Sequence, residues 1–192
     1  MSSILTSLGR TVLAGFVLTL LIVVLFGSNV GSPGWVAFLF RYLHVLSGVM
    51  WIGLLWYFNF VQIPSMPKIP DEQKPAIGKV IAPTALFWFR FAAMATVLTG
   101  IILAILNGYA HKAFTLQQPF LASGLGMWIA LIMAFNVWFI IWPNQKRALG
   151  IVVVDADLKA KSARTAMLTS RINTILSIPM LYLMVAQQNM GL

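Results

Sequence analysis

Five predominantly apolar stretches, each near 20 residues, decide what this chain can fold into, because runs of that length match the hydrocarbon core of a bilayer. They lie at about 8–27, 35–62, 84–107, 119–142 and 168–188. In hydrocarbon no water is available to pair backbone amides, so a crossing segment must be a helix or part of a closed barrel. The runs are continuous rather than alternating, which excludes the barrel. The expected fold is therefore all-α, a polytopic membrane helical bundle of about five transmembrane helices, occupying residues 1–192 as a single domain.

Composition narrows the function classes further. Hydrophobic residues make up 60% of the 192 and charged residues only 9%, against about 25% charged in a soluble domain. A soluble globular domain, a disordered chain and a secreted disulfide scaffold are excluded. The chain has no cysteine, so thiolate metal sites, iron–sulfur clusters, covalently attached haem c and cysteine nucleophiles are excluded too. Thirteen Lys and Arg against four Asp and Glu give a net charge of +9. Most of these charges sit between or at the ends of the apolar runs, so the positive-inside rule explains them better than nucleic-acid binding does. Arg10, Lys68, Lys74, Lys79, Lys146, Arg147, Lys159, Lys161 and Arg164 fall on one side, and Lys112 on the other. This predicts a multi-pass protein of the bacterial inner membrane, N-terminus in the cytoplasm and C-terminus outside. The first run is too long for a cleavable signal, and Gly27–Pro33 is a poor cleavage site.

Between the runs, glycines and Pro33 predict a tight turn over 27–34. Pro64, Pro67, Pro70 and Pro75 predict a stiff segment without a continuous helix. Residues 76–83 are expected to form a short surface helix before Pro83 opens the third span. Asp155–Arg164 reads as a charged helix on the membrane surface. Trp35, Trp88, Trp128, Trp138 and Trp142 lie near span ends, as interfacial anchors do.

Polar side chains inside spans are costly and mark candidate sites. Arg41, His44, Ser47, Gly48 and Trp51 recur at helical spacing and share one face of the second span. His44 lies about 13 Å deep at 1.5 Å per residue. An imidazole there suits the axial position of haem b, with Gly48 admitting a flat macrocycle and Arg41 facing a propionate. The same histidine can instead donate to a backbone carbonyl or a neighbouring hydroxyl and join helices. The only other histidine, His111, falls in the loop over 108–118, where it is a solvated residue, a partner contact or a copper ligand. Methionines 50, 94, 127, 133, 180 and 184 lie in spans, where methionine usually fills space. A second group comprises Arg90, Asn136, Arg171 and Asn173. Facing one another, these could hold a lipid phosphate, a quinone carbonyl or a propionate, or the arginines could snorkel to headgroups. No acidic residue lies in any span, which excludes a carboxylate proton relay there.

The segments His44–Phe60, Ile81–Arg90, Thr96–Gly100 and Asn136–Lys146 resemble the membrane domain of bacterial urate hydroxylases of the PuuD type, the urate oxidase N-terminal family. The likeness spans roughly 36–150. The shorter core, His44 with Gly48, Trp51 and Gly53, is also similar to HemJ protoporphyrinogen oxidases and CopD-like copper proteins. HemJ-type proteins are thought to hold haem b through a histidine, which would fall on His44. The full urate enzymes carry a C-terminal cytochrome c domain, and this cysteine-free chain cannot attach haem c. The resemblance thus implies a redox-linked subunit of a larger membrane complex rather than an autonomous enzyme. Membrane lipids, other membrane subunits and a redox partner are the expected partners. The expected cofactor is haem b through His44, contacted by Arg41, Gly48, Trp51 and Arg90, with copper the lesser alternative. The alternatives are a cofactor-free accessory subunit packed on partner helices and a HemJ-like porphyrinogen oxidase.

Overall fold

The computed structural model describes residues 2–189, and backbone contacts group them into two units, one ending at Leu39 and the other beginning at Phe40. Among the described residues there are helices and connecting turns but no strand. Five helices are long and apolar enough to cross a membrane: α1 (Leu8–Phe26), α2 (Pro33–Lys68), α3 (Lys74–Leu106), α5 (Leu121–Ala148) and α6 (Ala156–Asn189), with the short α4 (Ala110–Phe114) between α3 and α5. The count agrees with the hydropathy pattern.

In the first unit, α1 ends at Gly27, whose N–H donates to the Val23 carbonyl at 2.8 Å. A Cβ on Gly27 would run into that carbonyl, so glycine is required there. Asn29 and Gly31 adopt positive φ and turn the chain. Ser32 then caps α2, its Oγ accepting from the Trp35 N–H at 3.2 Å.

Helix ends depart from the sequence reading, and proline is the reason. Proline lacks an N–H, and its ring clashes with the carbonyl four residues earlier, which ordinarily stops an α-helix. Here α2 passes through Pro64, α3 through Pro83 and α5 through Pro143. Each proline follows a π-helical segment closely: Tyr57–Gln62, Ile77–Ile81 and Asn136–Ile141. The π turn bonds five residues apart instead of four, which moves the offending carbonyl out of the ring's way. The expected surface helix over 76–83 is therefore the start of α3. A break survives only at residues 69–73, beside the exposed Lys74–Asp71 ion pair of 2.6 Å. The expected surface helix at Asp155–Arg164 is likewise fused to its span. Asp155 caps it, accepting from the Leu158 N–H at 2.7 Å, and α6 then runs unbroken for 34 residues.

In the second unit one core joins four helices. Trp51, Leu55 and Phe58 of α2 meet Leu86, Phe89 and Ala93 of α3, Met133 and Val137 of α5, and Met180 of α6. The α2 residues repeat at four and three positions, the stripe that keeps one helix face on its neighbours. Between apolar helices in lipid, close packing and hydrogen bonds drive association, not water exclusion. Three amide and hydroxyl links supply the latter. Asn59 Nδ2 donates to Ser170 Oγ at 2.8 Å, Trp56 Nε1 to Ser177 Oγ at 3.0 Å, and Asn136 Nδ2 to Asn173 Oδ1 at 2.8 Å. Asn173 passes the chain on to the Met133 carbonyl at 3.0 Å. One end of the bundle holds the connection 107–120, here termed the loop end. The other holds Pro64, Pro83 and Pro143, the proline end.

Candidate functional site

The face of α2 that carries His44 lies against α3. Its Nδ1 meets the Thr96 carbonyl at 2.8 Å and the Thr99 hydroxyl at 3.5 Å. The carbonyl can only accept, so Nδ1 carries the proton, and in the neutral ring Nε2 is then the bare nitrogen. No described residue gives Nε2 a partner. The ring lies flush on Gly100: a Cβ there would stand 2.8 Å from Cε1 and 3.0 Å from Nδ1. Gly100 is thus the residue that lets an imidazole lie against a helix backbone. Gly48 faces the same helix more loosely: a Cβ there would meet only Thr96 Cγ2, at 3.9 Å. It spaces α2 from α3.

Trp51, two turns beyond His44 toward the proline end, is fully buried, and its Nε1 has no acceptor. Arg41, a turn toward the loop end, is exposed. Its charge reaches Tyr109, whose ring stacks on Phe120 at 4.8 Å. Burial pushes the Tyr109 phenol above its ordinary value, and Arg41 partly offsets the shift. His111 is exposed on α4. Among the described residues, no group of three or more His, Cys, Asp or Glu side chains comes together to hold a metal.

The second candidate group is divided by the structure. Asn136 and Asn173 meet. Arg171 is exposed, because two residues from the buried Asn173 is about 200° around a helix. Arg90 is only 9% exposed. Its guanidinium carbon stacks 3.2 Å from the centre of the Trp142 ring and 5.8 Å from that of Trp138. Arg90 Nε and Nη1 and Trp138 Nε1 are buried without partners. Trp138 and Trp142, read from sequence as interfacial anchors, are the walls around this arginine. Asn59, Ser170, Trp56 and Ser177 were not foreseen as linked. The only sequence signal for Asn59 and Ser170 is that polar side chains stand inside apolar runs.

No curated protein and no solved structure matches the chain. The matched part of the sequence covers α5, α6 and the loop before them, and excludes His44, Trp51 and Arg90. Residues 104–190 match the family model for the urate oxidase N-terminal region, the family that the sequence resembles over roughly 36–150.

Proposed function

We propose that this membrane protein is an electron-transfer subunit of a larger membrane complex, with haem b held through His44. The observation that carries the reading is the state of the imidazole. Nδ1 is tied to the Thr96 carbonyl at 2.8 Å and Nε2 is left unpaired. Histidines that ligate metals commonly fix their tautomer through such a bond from the other nitrogen. Trp51 Nε1, an orphaned donor on the same face of α2, fits a group with acceptor atoms. Arg41, a turn toward the loop end, suits a carboxylate. Bound haem would supply one-electron chemistry at its iron. This chain's own contribution would be to orient the imidazole and exclude water. The charge pattern supports a bacterial inner membrane location with the proline end in the cytoplasm.

The test is a visible spectrum of the full chain purified from haem-replete membranes. A Soret band that is lost in His44→Ala supports the reading, and a colourless protein overturns it. One observation favours a second reading, that of a cofactor-free accessory subunit. The imidazole is already seated on Gly100 and bonded to α3, which suffices to join two helices. A colourless protein that still copurifies with partner subunits supports that alternative.

A further inference from the structure

Arg90 presents a separate problem. A buried guanidinium ordinarily has a carboxylate or several carbonyls on its five N–H groups. Here it has an indole beneath it and no hydrogen-bond partner on Nε or Nη1. Cation–π contact offsets only part of what it costs to take such a charge out of water. A second cation aggravates the imbalance. Lys146 Nζ lies 5.7 Å from the centre of the same Trp142 ring, so two positive charges share one indole. Among the described residues the only ion pair is Lys74 with Asp71, so neither cation is neutralised by a side chain.

The unpaired atoms in this cluster are all of one kind. Arg90 Nε, Arg90 Nη1 and Trp138 Nε1 are donors. Water both donates and accepts and carries no charge. An oxyanion only accepts, and it balances the two cations. Depth identifies its source. Trp142 stands about 21 residues along α5 from Leu121, or about 32 Å, close to the hydrocarbon thickness of about 30 Å. The indole and its two cations therefore lie near the phosphate level of the leaflet at the proline end.

We infer that Arg90, Lys146 and Trp138 form a site for the phosphate of an anionic membrane lipid, with Trp142 as its platform. Basic recesses between helices on the cytoplasmic side bind acidic headgroups in this manner, and a planar guanidinium suits a phosphate's oxygens. The site does not depend on haem, and it can be measured on His44→Ala protein as well as on the parent chain.

The experiment uses the full chain, delipidated in neutral detergent. Its thermal midpoint is followed on addition of phosphatidylglycerol, phosphatidylcholine or inorganic phosphate at matched ionic strength. Phosphatidylglycerol alone should raise the midpoint, and native mass spectrometry should find it retained. Arg90→Gln should weaken the apparent affinity for phosphatidylglycerol about tenfold, as expected for losing one charge-assisted contact. Lys146→Gln, near the end of α5 and away from the core, should weaken it about fivefold. It carries the test if Arg90→Gln fails to fold. An equal response to phosphatidylcholine overturns the inference, and so does full stabilisation by inorganic phosphate. Unchanged phosphatidylglycerol preference in both variants overturns it as well.

Discussion

His44 of α2 rests on α3 and Arg90 of α3 rests on α5, and the fold treats the two polar groups in opposite ways. The imidazole is neutral and needs a single acceptor, which the Thr96 carbonyl provides. Its other nitrogen is a bare acceptor, and leaving one neutral acceptor unpaired costs about 1–3 kcal/mol, less than leaving a charge unpaired. The guanidinium carries a fixed charge and five donors, and the fold gives it an aromatic face and no acceptor on two of its nitrogens. A half-satisfied neutral group can serve as helix glue or as a ligand. A charged group left in that state calls for a counterion. The Asn136–Asn173–Met133 chain marks the third case, a buried polar link made entirely within the protein.

The most forceful way to break this comparison is at Gly100. Gly100→Val must displace the imidazole from its seat, and should cost about 2–3 kcal/mol by overpacking, read as a lowered thermal midpoint in detergent. Gly48→Ala should cost far less, since the new Cβ would stand 3.9 Å from Thr96 Cγ2, an ordinary contact. Equal losses at the two glycines would remove the distinction between a seat and a spacer. Asn173→Leu comes next. It strands the Asn136 amide and removes the side-chain donor from the Met133 carbonyl, and should cost about 1–2 kcal/mol, with most of the loss recovered when Asn136→Leu is added. Recovery is the decisive point, because a purely volumetric effect would leave the double variant at least as unstable. Asp155→Ala should cost about 1 kcal/mol by uncapping α6, measured as faster amide exchange over 156–160.

The smallest expected effect sharpens the comparison at the loop end. Tyr109 has a raised pKa in the folded chain, from an ordinary 10.0, because burial disfavours the phenolate. The neutral phenol is therefore the form that folding favours. Its contribution is fully present below pH 10 and is lost as pH climbs through the folded value. Absorbance titration should show Tyr109 ionising above that ordinary value. Arg41→Gln, by deleting the charge that offsets the shift, should delay that step further. An earlier step in Arg41→Gln would contradict the assigned proximity.

The five spans were readable from hydropathy because lipid imposes a length on every crossing helix. Their ends at Pro64, Pro83 and Pro143 were not, since the rule that proline ends a helix assumes α-helical bonding, and a π turn removes the clash. His44, Arg90, Asn136 and Asn173 stood out because a polar side chain in an apolar run is conspicuous wherever it points. Their partners did not. The Thr96 carbonyl, the Trp142 face and Ser170 depend on the register of a neighbouring helix, which no single run encodes. Arg171 shows the complementary failure: its depth was readable, but its direction around α6 was overlooked.

The π turn in α5 has one more effect, on angular phase. A π turn amounts to one inserted residue, and each residue advances a helix by about 100°. The stretch after Asn136–Ile141, including Trp142 and Lys146, is therefore aimed independently of the part of α5 that packs in the core. Deleting Phe139, an exposed residue of that turn, would keep Asn136 and Val137 in the core while swinging Ile141, the indole and its lysine about 100° away from their present aim.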